Sequence, residues 1–136
     1  MTADSHQLAR NVKLLNRRLI QERLSDLTPT QQSVLEAILK LGTATPSAIA
    51  AHERVQPPSV TRTLGALVES GYVLRTPHPV DGRQVLVTVS ESGNAALAAE
   101  RDRRDLWLAR RLEELDESER EILRQAARLM ERISEG

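Results

Sequence analysis

The chain has 136 residues and zero formal net charge at pH 7, with 40% apolar and 28% charged side chains, the profile of a folded domain and not of a disordered one. Its aromatic residues are Tyr72 and Trp107, and it has no cysteine, which excludes a disulfide framework, a thiolate zinc site, an iron–sulfur cluster and a thiol switch. A core of Leu, Ile, Val and Ala suits helices better than a β-sandwich. A chain of this length buries roughly two-thirds of its unfolded surface and folds without staples.

The first segment places Leu8, Val12, Leu15 and Leu19 at steps of four, three and four, one face of a helix whose other face is charged. Leu24 and Leu27 carry the chain to Thr28-Pro29-Thr30-Gln31, where Thr28 and Gln31 have capping-box spacing and Pro29 suits the first helical position. Val34, Leu35, Ile38 and Leu39 are the expected buried stripe of this second helix, and Gly42 is its stop. Thr45-Pro46 opens a short third helix toward His52, and Val55-Gln56-Pro57-Pro58 is a turn leading into a fourth. Val60, Leu64, Leu67 and Val68 form the apolar face of that fourth helix; Gly71 suits a left-handed C-cap, and Tyr72 is placed to pack back on Leu67. Gly65 inside it costs up to ~1 kcal/mol relative to Ala and is expected to permit close packing.

After Gly71 the period changes from helical to two. Residues 73–76 and 84–89 read as strands, with Val85, Val87 and Val89 on one face, around a proline-bounded turn containing Asp81-Gly82. Ser90 is a cap for a long fifth helix through Leu97, Trp107 and Leu112 to Leu115, and Asp116 to Glu119 opens a last helix with stripe Ile122, Ala126, Leu129 and Ile133. Two short helices joined by a tight turn and followed by a hairpin make a winged helix-turn-helix. The expected fold is mainly α with a small β-hairpin wing (α+β). The terminal helices carry apolar stripes that such a domain does not use up. Leu8, Val12, Leu15, Leu19, Trp107, Leu112, Ile122, Ala126, Leu129 and Ile133 are therefore the expected interface of a homodimer.

Four stretches of this pattern resemble the MarR (multiple antibiotic resistance regulator) family of bacterial transcription factors. They are Leu27-Thr28-Pro29-Thr30-Gln31-Gln32-Ser33-Val34-Leu35, Pro57-Pro58-Ser59-Val60-Thr61-Arg62, Leu67-Val68-Glu69-Ser70-Gly71-Tyr72-Val73-Leu74-Arg75 and Asp81-Gly82-Arg83. Each is weak alone; in this order and spacing they are specific, and the likeness covers nearly the whole chain. The resemblance implies a dimerisation helix over 1–27, a DNA-binding winged helix over 28–90 (recognition helix about 57–70, wing about 73–89) and dimerisation helices over 91–136 in one compact chain. It also implies a homodimeric, sequence-specific repressor of a near-palindromic operator, with a small-molecule effector releasing double-stranded DNA.

In a winged helix the second helix of the helix-turn-helix enters the major groove by its N-terminal end. The buried stripe leaves Pro58, Ser59, Thr61, Arg62 and Thr63 outside, where hydroxyls meet base edges or phosphates and a guanidinium meets guanine or phosphate. The resemblance places Arg83 in the adjacent minor groove, whose negative potential attracts it, with Asp81 holding Arg83 or the turn in place. Arg75 and Ser47 are weaker candidates for phosphate contacts. Consecutive Pro57 and Pro58 depart from the family pattern: they stiffen the helix start and remove N–H donors. Residues 1–90 hold 10 basic and 7 acidic side chains and residues 91–136 hold 9 and 12, so modest non-specific affinity and a shallow salt slope are expected.

Other readings of the same residues stand beside these. Ser59 and Thr61 are also ordinary helix-start residues, Arg62 a solvated charge, and Arg83 a partner for Asp81 alone. The alternating run Arg101-Asp102-Arg103-Arg104-Asp105 reads as a solvated face, Trp107 as packing and Met130 as filler. An alternative function is a winged-helix protein-interaction module without sequence-specific DNA binding. Catalysis is disfavoured: His52-Glu53 begins like a zinc-protease motif, but Gln56 stands where the second histidine belongs. No phosphate-cradling glycine loop or nucleophile elbow is present, and no cofactor or metal is expected. With no signal pattern and no apolar run near the ~20 residues that span a bilayer, a cytoplasmic protein without a membrane partner is expected.

Overall fold

The computed structural model describes residues 3–22 and 27–136; Leu24 lies outside the described residues. The element order is α1 (Ala3–Gln21), α2 (Pro29–Leu41), α3 (Pro46–Glu53), α4 (Pro57–Glu69), β1 (Val73–Pro77), β2 (Val85–Val89), α5 (Glu91–Glu113) and α6 (Glu117–Ser134). These form two compact units divided within α5 between Asp102 and Arg103. One comprises α2 to the first half of α5. The other comprises α1, the second half of α5, and α6.

Local chemistry sets the helix ends of the first unit. Thr28 Oγ1 accepts the Gln31 N–H at 3.1 Å while Gln31 Oε1 accepts the Thr28 N–H at 3.0 Å, a complete capping box with Pro29 at the first helical position. Gly42, at φ +85°, ends α2. Thr45 Oγ1 caps α3 through the Ala48 N–H, and Arg54 closes that helix in the left-handed region at φ 56°. Gly71, at φ +83°, closes α4; its N–H and that of Tyr72 return to the carbonyls of Val68 and Leu67.

The core is aliphatic: Leu27, Leu35, Ile38, Ile49, Val60, Leu67, Val73 and Val87 are almost completely buried. Leu39, expected in the α2 stripe, is 43% exposed, and Ala37 is buried instead. The helix turns Val34, Ala37 and Ile38 toward α3, α4 and β2, and Leu39, a further 100° around the helix, falls outside that face. The wing strands pair antiparallel with Val73 opposite Val89 and Pro77 opposite Val85. Val87 is buried and Val89 packs on the core, whereas Val85 is exposed because it lies at the outer end of the wing. A backbone bridge joins Ala44 to Val87, with N–H···O contacts of 3.1 and 2.9 Å. It ties the α2–α3 connection to β2 on the side away from β1.

The wing returns to the end of α4 through a dense junction. Ser90 Oγ donates to the Gly71 carbonyl at 2.6 Å and accepts the Gly93 N–H at 3.0 Å, capping α5. Ser92 Oγ donates to the same carbonyl at 2.9 Å, and the Ser90 N–H reaches the Tyr72 carbonyl at 2.9 Å. A Cβ on Gly93 would stand 2.3 Å from the Tyr72 carbonyl oxygen and 2.8 Å from Val89 Cγ1, so glycine is what lets α5 approach the strand. Gly65 is the opposite case: a Cβ there meets nothing within 4 Å. The close packing expected of it is absent because the Gly65 position of α4 faces open space.

In the second unit, neither α1 nor α6 contains a buried residue. Arg18 of α1 and Arg111 of α5 both lie over the Trp107 ring of α5, each guanidinium 5.3 Å from its centroid. Asp116 opens α6 with a capping box to Glu119, and Arg120 Nη1 donates to the Leu112 and Leu115 carbonyls, closing the end of α5. Hydrogen bonds from the Glu119 N–H to Asp116, and from Arg124 to Glu117 and Glu121, hold these three carboxyls below their ordinary values. Depressed carboxylates stabilise the fold above the ordinary carboxylate range, and the contribution is lost as pH falls through their lowered values.

Gly93→Ala should destabilise the protein by about 1–3 kcal/mol through overpacking, whereas Gly65→Ala should stabilise it by up to about 1 kcal/mol through helix propensity. Urea unfolding of the two variants beside the wild type measures both. Equal stability of Gly93→Ala and wild type would contradict the close approach.

Candidate nucleic-acid interface

α3, the turn at Arg54–Gln56 and α4 form the helix-turn-helix, with α2 packed against both helices. The buried stripe of α4, Val60, Leu64 and Leu67, turns Pro57, Pro58, Ser59, Thr61 and Arg62 outward, with Thr63 half-buried at the margin. Arg62 makes no ion pair among the described residues. Ser47 is exposed in the first turn of α3, and Arg75 is exposed at the middle of β1, opposite Val87.

The amides at the start of α4 have little to offer a phosphate. Pro57 and Pro58 have no N–H, and the Ser59 N–H is donated to the Gln56 carbonyl. Thr61 Oγ1 donates to the Pro57 carbonyl at 3.1 Å and Thr63 Oγ1 to the Ser59 carbonyl at 3.0 Å. Their hydroxyl protons are thereby engaged, leaving lone pairs and methyl groups for an incoming base edge. A cleft of about 330 Å³ lies between α2, the α3–α4 turn and α4. At its wall Ser33 Oγ donates to Glu53, which also faces His52 Nδ1 at 3.4 Å. Among the described residues no cluster of three metal-binding side chains occurs.

The wing turn is organised around Asp81. Its Oδ1 accepts both the Arg83 N–H at 3.1 Å and Arg83 Nε–H at 3.2 Å, and its carbonyl accepts the Gln84 N–H at 3.0 Å. These contacts leave 92% of the Arg83 side chain exposed. The side-chain bond from Arg83, followed by its backbone bond, holds the Asp81 carboxyl below the ordinary aspartate value. The sequence reading missed His78: its Nδ1 accepts the N–H groups of Val80 at 3.1 Å and Asp81 at 3.0 Å. The legible signal is a side-chain acceptor two and three residues ahead of the amides it serves, the spacing of an Asx turn.

The residues expected at a dimer interface lie in the second unit. Leu8, Val12, Leu15, Ile122, Leu129 and Ile133 are exposed on the single chain, while Leu19, Trp107, Leu112 and Ala126 are half-buried. Leu14, Leu123 and Met130 add to the exposed apolar surface. The signal for Leu14 was its place beside Leu15, one step around the same helix.

The MarR family model matches residues 27–85, from the cap of α2 to the first residue of β2. A helix-turn-helix-type transcriptional regulator of Mycobacterium tuberculosis is 52% identical over 106 residues, covering 78% of this chain and 74% of the relative. One of Mycobacterium leprae is 48% identical over the same length. The chain belongs to the MarR family. Among solved structures, a transcriptional regulator protein of Pseudomonas aeruginosa is 34% identical, with a TM-score of 0.88 over 100% of this chain and 99% of that one. A cysteine-to-serine mutant of E. coli MarR complexed with operator DNA is 30% identical, with a TM-score of 0.67 over 91% of this chain and 93% of that one. This MarR family chain is thus a transcriptional regulator with a DNA-binding winged-helix fold, and no described helix is long and apolar enough to cross a membrane.

NMR titration of the Asp81 carboxyl carbon should give a midpoint below the ordinary ~3.9, and Arg83→Ala should raise it. The turn stability due to this bond is therefore present above the ordinary aspartate value and lost as pH falls through the lowered one. An unmoved midpoint in Arg83→Ala would refute the pairing.

Proposed function

We propose that this MarR family regulator is a homodimeric repressor that reads a near-palindromic operator through α4 and the wing. The observation that carries the reading is the pairing of an outward α4 face, with Arg62 exposed, and an exposed Arg83 braced by Asp81. Ser59, Thr61 and Arg62 meet base edges or adjacent phosphates in the major groove, with Pro57, Pro58 and Thr63 shaping the contact. Arg83 enters the minor groove, and Arg75 and Ser47 meet the backbone. Residues 28–90 carry the DNA contacts in this reading.

The exposed apolar residues of α1 and α6 support dimerisation by the segments 1–27 and 91–136. Two copies bring their recognition helices to half-sites about one helical turn apart. A small-molecule effector that binds the DNA-incompetent arrangement more tightly releases the operator by that difference in affinity. The chain has no cysteine, so its signal is not thiol oxidation. The reading carries no catalytic step and places the protein with DNA in the cytoplasm.

Fluorescence anisotropy on duplex from the upstream intergenic region, against a shuffled duplex at several salt concentrations, tests the reading. Specific binding should weaken with salt, and Arg83→Ala and Arg62→Ala should each cost about 1–3 kcal/mol. Equal weak binding to both duplexes, or unchanged affinity in both variants, would contradict it. Sedimentation should show a dimer that Leu129→Glu combined with Ile133→Glu converts to monomer; a wild-type monomer at micromolar concentration would remove the dimer.

A further inference from the structure

We propose that His78 is a positioning residue of the wing: its imidazole shapes the turn that presents Asp81 and, through Asp81, the Arg83 side chain to DNA. The inference rests on the minor-groove reading of Arg83. The turn from His78 to Gln84 follows Pro77 and contains Pro79, neither of which has an N–H. Val80 and Asp81 are the next two residues with amides, and both donate to His78 Nδ1, at 3.1 and 3.0 Å. The His78 N–H in turn reaches the Gln84 carbonyl at 3.1 Å, closing the loop across the strand ends.

These contacts form a relay. Two N–H groups converging on one nitrogen set the orientation of the Asp81 backbone, from which the Asp81 carboxylate reaches both the backbone and Nε of Arg83. An arginine held at Nε loses less rotamer freedom on binding than one moving freely. His78 has no direct part in reading DNA; it supplies the geometry of a side chain that does.

The arrangement also specifies a chemical state. Nδ1 accepts two hydrogen bonds only with its lone pair free, so the neutral ring carries its proton on Nε2.

Asparagine is the informative replacement, because its Oδ1 lies the same number of bonds from Cα as the histidine Nδ1 and accepts hydrogen bonds as that nitrogen does. Hydrogen exchange by NMR, without DNA, tests the cap: the Val80 and Asp81 amides should exchange about fivefold faster in His78→Ala and return toward the wild-type rate in His78→Asn. Anisotropy on a duplex selected by the wild-type protein from a random pool tests the relay, with Arg83→Ala alongside. His78→Ala should bind about tenfold more weakly than wild type and His78→Asn nearly as well.

Unchanged exchange in His78→Ala overturns the cap. Faster exchange with undiminished affinity, while Arg83→Ala weakens binding, overturns the positioning role and leaves the DNA reading standing. Undiminished affinity in Arg83→Ala removes the minor-groove contact itself, and with it the route from His78 to DNA.

Discussion

Gly71 is the point on which the helix-turn-helix unit turns. It ends α4 in the left-handed region and directs the chain into β1, and its carbonyl accepts the hydroxyls of Ser90 and Ser92 as the chain returns from β2. α4, the wing and α5 are thereby joined within a few ångströms of one peptide. Gly93 lets α5 come that close, and Tyr72 supplies both the packing side chain and the carbonyl that the Ser90 N–H meets. A hairpin of two five-residue strands has little stability alone. Its anchoring at this junction, and at Ala44 on the other side, gives a long wing turn a fixed base.

Much of this was readable in the sequence because it is written in local chemistry. Thr28 with Gln31, Asp116 with Glu119, and the glycines at 42 and 71 each act over a few residues, and the helix boundaries fall where they place them. What was not readable depends on distant backbone approaching distant backbone. The Ala44–Val87 bridge is a single residue pair with no periodicity, and the role of Gly93 exists only because Tyr72 lies against it. Leu39 and Ala37 both fit a helical stripe; only the positions of α3, α4 and β2 select between them. For the candidate site, residue identities were legible, but not that the Thr61 and Thr63 protons are already engaged by the helix, nor that a histidine does the work of an Asx cap.

The wing and α4 manage charge in different ways. At the start of α4 the backbone has surrendered its donors to prolines and to Gln56, so attraction for a polyanion there falls to side chains such as Arg62. In the wing turn the backbone amides are satisfied by His78 and Asp81, and the cation itself is held by a carboxylate that leaves it exposed. Both arrangements use few charges placed with care, in keeping with a chain of zero net charge.

Trp107 is the sole tryptophan of the chain and Tyr72 the sole tyrosine, and the two units hold one each. Two guanidinium groups lie over the indole, one of them on α1, so its ultraviolet emission senses whether α1 keeps its place against α5. The phenol packs against the aliphatic core of the other unit. Selective excitation of the indole therefore reports on the terminal helices with no contribution from the winged helix, and every photon it emits comes from a single known environment.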